Sequence, residues 1–338
     1  MHENKFGMSP LWGTPTEEPT AVLTTSQARR RLAIPALAVL GIYLFTILAQ
    51  EVLLLLVARF APALRDADWF MLVAGNTPMY LVGMPLSLIV FGFSFPEPPK
   101  PKRIAFPVFL GLIAICFSLT IVGNIVSNVI NTLLEAITGK PPVNDLAELT
   151  LNTPLWANLL FVGILAPVLE EIFFRKLVID RWRQFGELPA ILLSGLLFGL
   201  IHGNVSQVFY AAMIGMVFGY IYLRTGRLRY TIALHMIINM IGGVYSSEML
   251  KLFDMEALES GSVAALLQNM TPMLMMMAYL FFLVLCFIGA PIALVLLWRR
   301  IRFEKAPYRL TAEQWLRALL LNPAIWLLLA FIGFMFAV

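Results

Sequence analysis

PLWANLLFVGILAPVLEEIFFRKLVIDRW, residues 154–182, reads as one long apolar helix broken near its centre by Glu170, Glu171 and Arg175. A bilayer core of roughly 30 Å needs about 20 predominantly apolar residues in a helix. An ionisable group at that depth costs about 2.5–3.5 kcal/mol on insertion scales. Each of the three therefore needs an internal partner or a task. Glu171 and Arg175 are four apart with the acid first, the better orientation for a helical pair. Glu170 is turned about 100° away and has no local counter-charge. A charge cluster at the membrane interface is the plainer alternative for this segment taken alone.

The rest of the chain sets that helix in a membrane. Of 338 residues, 60% are hydrophobic and 13% charged, and the mean hydropathy is +0.83, against roughly 45–50% and about 25% in a soluble domain. Collagen, disorder and disulfide scaffolds are excluded by the same figures, since Gly numbers 22 and Cys only 2. Cys116 and Cys286 lie in apolar runs and read as filler. Apolar stretches fall near 33–58, 69–94, 104–134, 154–182, 189–203, 206–223, 230–247, 270–298 and 315–337. The fold class they predict is all-α, a polytopic transmembrane bundle of eight or nine helices. Residues 1–28 are polar and aperiodic, read as a disordered cytoplasmic tail, and argue against a cleaved signal peptide. Residues 29–338 are expected to form the membrane domain, with the intramembrane polar groups concentrated over 150–250.

Charge gives the orientation. With alternating spans, only Arg59, Arg65, Lys140 and Lys251 fall in outer loops and Lys5 in the tail, while every other Lys and Arg collects on one side. The positive-inside rule places that side, and the N-terminus, in the cytoplasm. The net charge of +4 thus reports contact with a lipid bilayer and its anionic headgroups, and no nucleic-acid role is expected. No repeat suggests an inverted-repeat transporter.

Two of the three histidines also lie in apolar segments, His202 four after Phe198 and His235 four before Asn239. A rise of 1.5 Å per residue puts Glu170, His202, His235 and Asn239 about 9–20 Å from their inner helix ends, a common layer. A carboxylate and an imidazole there suit holding and deprotonating a water, and His235 with Asn239 could donate to a developing oxyanion. Two histidines and a carboxylate could equally ligate a divalent metal such as zinc. No His-Glu-x-x-His run supports the zinc-helix version, so no metal ligand or cofactor is assigned. Asn124 and Asn128 are expected to form interhelical hydrogen bonds, Gln50 and Glu51 to be interfacial, and the Met run 273–277 to be filler.

Glu170-Glu171-x-x-x-Arg175, Phe198-x-x-x-His202 and His235-x-x-x-Asn239, in that order, resemble the CAAX protease and bacteriocin-processing enzyme family (CPBP, or Abi), which includes the Ras-converting CAAX prenyl endopeptidase. The resemblance covers about residues 150–250. It implies an intramembrane endopeptidase in which Glu170 and His202 activate water, Glu171 and Arg175 support them, and His235 and Asn239 serve the oxyanion. Phe198 would be structural. The implied partner is a peptide or protein substrate within or at the membrane, prenylated or bacteriocin-like; the short loops and compact chain point to a bacterial plasma membrane. A non-proteolytic immunity or scaffold protein, and a proton-coupled transporter, are the competing readings.

Overall fold

The computed structural model describes residues 21–91, 99–140, 145–254, 259, 262–299, 301–304 and 308–336. Helix α1 (Thr25–Phe60) opens on a capping box in which Thr24 accepts from the Gln27 backbone N–H and Gln27 reaches back to Thr24. That cap starts the helix before Arg29, Arg30 and Arg31, so the last part of the expected tail is helical; residues 1–20 lie outside the described residues. Gln50 and Glu51 lie on α1, with Glu51 exposed. Helix α2 (Phe70–Phe91) is followed by α3 (Phe106–Thr138), α4 (Leu155–Phe185), the short α5 (Glu187–Leu200) and α6 (Val205–Thr225). Helix α7 covers 228–251, as Leu228–Ile238, a π-helical stretch Asn239–Tyr245 and Ser246–Lys251. Helix α8 is Met270–Trp298. The last apolar stretch, expected as one segment, is two helices, α9 (Ala312–Leu320) and α10 (Pro323–Met335), bent by 60°. Asn322 makes the bend by capping α10 at the Ala324 N–H, with Pro323 at the first helical position.

The chain is an all-α membrane bundle. Its one sheet among the described residues is a two-residue parallel pairing of Ala21–Val22 with Tyr308–Arg309. The apolar stretches singled out in the sequence are mainly helical over their described residues, among which 6 helices are long and apolar enough to cross a membrane, or 7 if α9 and α10 count as one span. Helix α5, with 14 residues, rises only about 21 Å. The outer face of α8 (Leu280, Phe281, Val284, Ile288, Val295) is exposed and apolar, as a lipid-facing surface requires. Apolar side chains, mostly aliphatic and phenyl, dominate the inside, with buried polar and charged groups set among them.

Small residues set the helix spacing around α6. Any side chain at Gly199 of α5 would meet the Val208 carbonyl of α6, and one at Gly123 of α3 would meet the Tyr210 backbone. The sequence therefore lets α6 lie flat between α3 and α5, as close membrane packing demands. Two prolines explain interruptions elsewhere. Pro78 and Pro167 supply no N–H to the carbonyls four residues before them, and π-helical turns adjoin both, at Met79–Gly83 and Asn158–Leu165. A further π stretch, Ile172–Ile179, follows the acidic pair.

Candidate active site

The site is built outward from Arg175. Its guanidinium donates to both carboxylate oxygens of Glu171, Nε to Oε2 at 2.8 Å and Nη2 to Oε1 at 3.0 Å, and Nη1 donates to the Gly215 carbonyl at 3.3 Å. Both side chains are 0% exposed. The rings of Phe198 and Phe218 lie 5.9 Å from the guanidinium carbon, a cation–π contact on each. A forked ion pair with these extra contacts meets the conditions under which a buried charge pair is tolerated. The i, i+4 pairing read from the sequence is present.

Glu171 also faces His235, whose Nδ1 is 3.4 Å from Oε1; the other ring nitrogen, Nε2, is 3.9 Å from Oε2 of Glu170. His235 thus stands between the two carboxylates, with the ring centres of Phe198 and Phe218 at 5.6 and 5.4 Å from its own fixing its plane. Glu170, without a local counter-charge, finds this partner on α7.

His202 lies just beyond the end of α5. Its Nδ1 is 2.7 Å from the Phe198 carbonyl, and since a carbonyl only accepts, Nδ1 carries the proton. That assignment leaves the Nε2 lone pair free. Asn204 holds the turn by accepting from the Gln207 N–H and donating to the His202 carbonyl. The Tyr43 hydroxyl, from α1, donates to the carbonyl of Ile201 at 2.6 Å. Asn239 donates one amide hydrogen to the Val162 carbonyl at 2.9 Å, across the two facing π-helical stretches of α4 and α7.

A cavity of about 270 Å³ is lined by Glu170, His202, His235 and Asn239 together. Glu171 and Arg175 stand behind its wall, and Phe198 forms part of it. The cavity also takes in Tyr43, Asn76, Tyr80, Gln207 and Tyr210, which sequence reasoning did not select. Asn76 and Gln207 were visible as amides in apolar stretches. Nothing in the sequence separates these tyrosines from interfacial ones, since a tyrosine with an apolar body and polar tip is ordinary near a membrane surface.

The structure corrects one pairing. The side chains of Asn124 and Asn128 make no hydrogen bond with any described residue and line a second cavity instead; from α3, Asn131 donates to Ser206 of α6 at 3.1 Å and Ser118 to the Cys286 carbonyl of α8 at 3.0 Å. Asn131 is buried against α6, whereas Asn124 and Asn128 are exposed and share their cavity with Ser206, Gln207 and Tyr210 of that helix. No group of three or more His, Cys, Asp or Glu among the described residues is placed to hold a metal ion.

Residues 152–241 match the family described as type II CAAX prenyl endopeptidase Rce1-like, a stretch that contains all three motifs and bears out the resemblance they carry. A Bacillus subtilis (strain 168) protein, YdiL, named as a candidate membrane peptidase, is 28% identical over 102 residues. That alignment takes in 30% of this chain and 42% of YdiL, so the chain spans less than half the length of that curated relative. No solved structure matches.

Proposed function

With residues 152–241 matching the Rce1-like family, we propose that the chain is an intramembrane endopeptidase that hydrolyses its peptide bond with water activated by Glu170 and His202. The observation that carries this reading is the convergence of Glu170, His202, His235 and Asn239 on one cavity from three separate helices. Glu170 and the free Nε2 of His202 hold a water. As its oxygen bonds to the scissile carbonyl carbon, its proton passes to Glu170. The carbonyl oxygen becomes an oxyanion, and the second amide hydrogen of Asn239 donates to it, as does His235 with a proton on Nε2. Collapse of the tetrahedral intermediate breaks the C–N bond while Glu170 returns the proton to the departing amine. A carboxylic acid and an amine result, and no covalent enzyme intermediate is needed.

The substrate proposed is a membrane-associated or lipidated peptide or protein, with a prenylated C-terminus and a bacteriocin-like peptide as its two candidate forms. The proposed setting is a bacterial plasma membrane, with the N-terminus in the cytoplasm. The test is cleavage of membrane-associated peptides by the purified chain in detergent. Glu170→Gln and His202→Ala should each lower kcat by about 10²–10⁴. Undiminished cleavage in both variants rejects the mechanism, and a cellular phenotype that survives Glu170→Gln favours a scaffold or immunity role.

A further inference from the structure

We propose that the second cavity binds an extended stretch of the substrate peptide beyond the scissile bond, an inference that rests on the endopeptidase reading. The cavity measures about 460 Å³ and lies between α3, α6, α7 and α8, with Asn124, Asn128, Ser246, Ser247 and Tyr279 among its lining residues. It shares Val162, Gln207, Tyr210, Asn239 and Gly243 with the candidate catalytic cavity. The hydrogen bond from Asn239 to Val162 therefore stands where the two adjoin. A chain lying in one cavity would meet the proposed oxyanion donor at the threshold of the other.

The polar groups in this groove have the character of peptide partners. Asn124 and Asn128 are exposed on α3 amid exposed Ile125, Val129 and Leu133, and neither side chain has a hydrogen-bond partner among the described residues. Bare amides at membrane depth are costly, so something with donors and acceptors belongs beside them. An extended peptide in a bilayer has the complementary need, because each of its N–H and C=O groups must find a partner. The spacing agrees as well. Asn124 and Asn128 are about 6 Å apart along the helix axis, close to the ~6.6 Å between alternate residues of an extended strand, whose side chains and backbone groups repeat every second residue. An Asn amide both donates and accepts, so each can serve one backbone position. The floor is open: a Cβ added at Gly242 would meet nothing within 4 Å. An acyl chain would gain nothing from these amides and hydroxyls.

The experiment uses the full chain in detergent with a mixed-sequence set of quenched fluorogenic peptides. Cores of about four residues are compared with the same cores lengthened to about twelve, roughly 40 Å when extended. Gly242→Phe fills the groove, and the double variant Asn124→Leu/Asn128→Leu removes its amides. Each should raise KM for the long peptides roughly tenfold and leave kcat/KM for the short ones within about twofold, the scale of one or two lost hydrogen bonds. Equal effects on both lengths, or none, overturn the proposal and mark the groove as a water path. A second readout needs no cleavage: p-benzoylphenylalanine at position 128 of the Glu170→Gln protein should cross-link the long peptides and not the short. Cross-linking by a chain that in its unaltered form cleaves nothing would keep the groove as a peptide site and reject the protease. Cleavage with neither cross-linking nor length dependence would do the opposite.

Discussion

Arg175 is the largest fully buried side chain among the described residues, and its worth lies in what it holds. It fixes Glu171, Glu171 faces His235, and His235 faces Glu170. Arg175→Ala would strand the Glu171 carboxylate in the bundle, at a cost of about 3–5 kcal/mol, which a thermal melt in detergent would register as a large fall in Tm or a failure to accumulate. Replacing both partners with apolar residues of similar volume, as in Glu171→Leu/Arg175→Met, should recover much of that stability. It should not recover cleavage, since His235 would lose its anchor. Asn239→Ala is a different case. Removing one oxyanion donor should lower kcat about 10²–10³-fold with little change in KM, measured on any peptide the chain cleaves. Equal losses in kcat and in thermal stability would instead mark Asn239 as a helix-to-helix tie through Val162.

At the scale of the element, much was legible because charge is rare in apolar helices. Glu171 with Arg175, and Phe198 with His202, follow from helical spacing; the latter pair is seen with rings at 5.2 Å and edge to face. One thing was hidden. The π-helical stretches Asn158–Leu165 and Asn239–Tyr245 break the 3.6-residue period, so a face counted along α7 no longer predicts that Asn239 meets Val162. The bend at Asn322 was legible in Asn322-Pro323, a capping Asn followed by Pro at the first helical position, but is lost when the stretch is counted by hydropathy alone. Close helix approach makes a sharper prediction. Gly199→Leu must push α5 from α6, since the Val208 carbonyl occupies the space its Cβ needs. A shift of this kind typically costs about 1–3 kcal/mol and would displace His202, which lies three residues on. Lowered Tm and lowered kcat should therefore appear together.

For the whole molecule, the orientation inferred from basic residues can be checked by thiol labelling from either side of sealed vesicles. Cysteine placed at Lys102 should react only with a cytoplasmic-side reagent, and cysteine at Lys140 only from the opposite side. The native Cys116 and Cys286 are 0% and 6% exposed, so the background should be low without removing them. Reversed labelling would invert the assignment and leave the cavity chemistry untouched.

The walls of that cavity have a consequence for how such proteins diversify. Tyr43, Asn76 and Tyr80 come from α1 and α2, outside the matched stretch 152–241, and Tyr43 holds the turn that presents His202. The matched segment is thus an incomplete part. Grafted alone into a relative, it would bring its acids and histidines but meet a foreign set of hydroxyls on the opposite wall. Selectivity would then be inherited from the recipient's first two helices, and a chimera exchanging only residues 25–91 should change which peptides are cut while leaving the cutting chemistry in place.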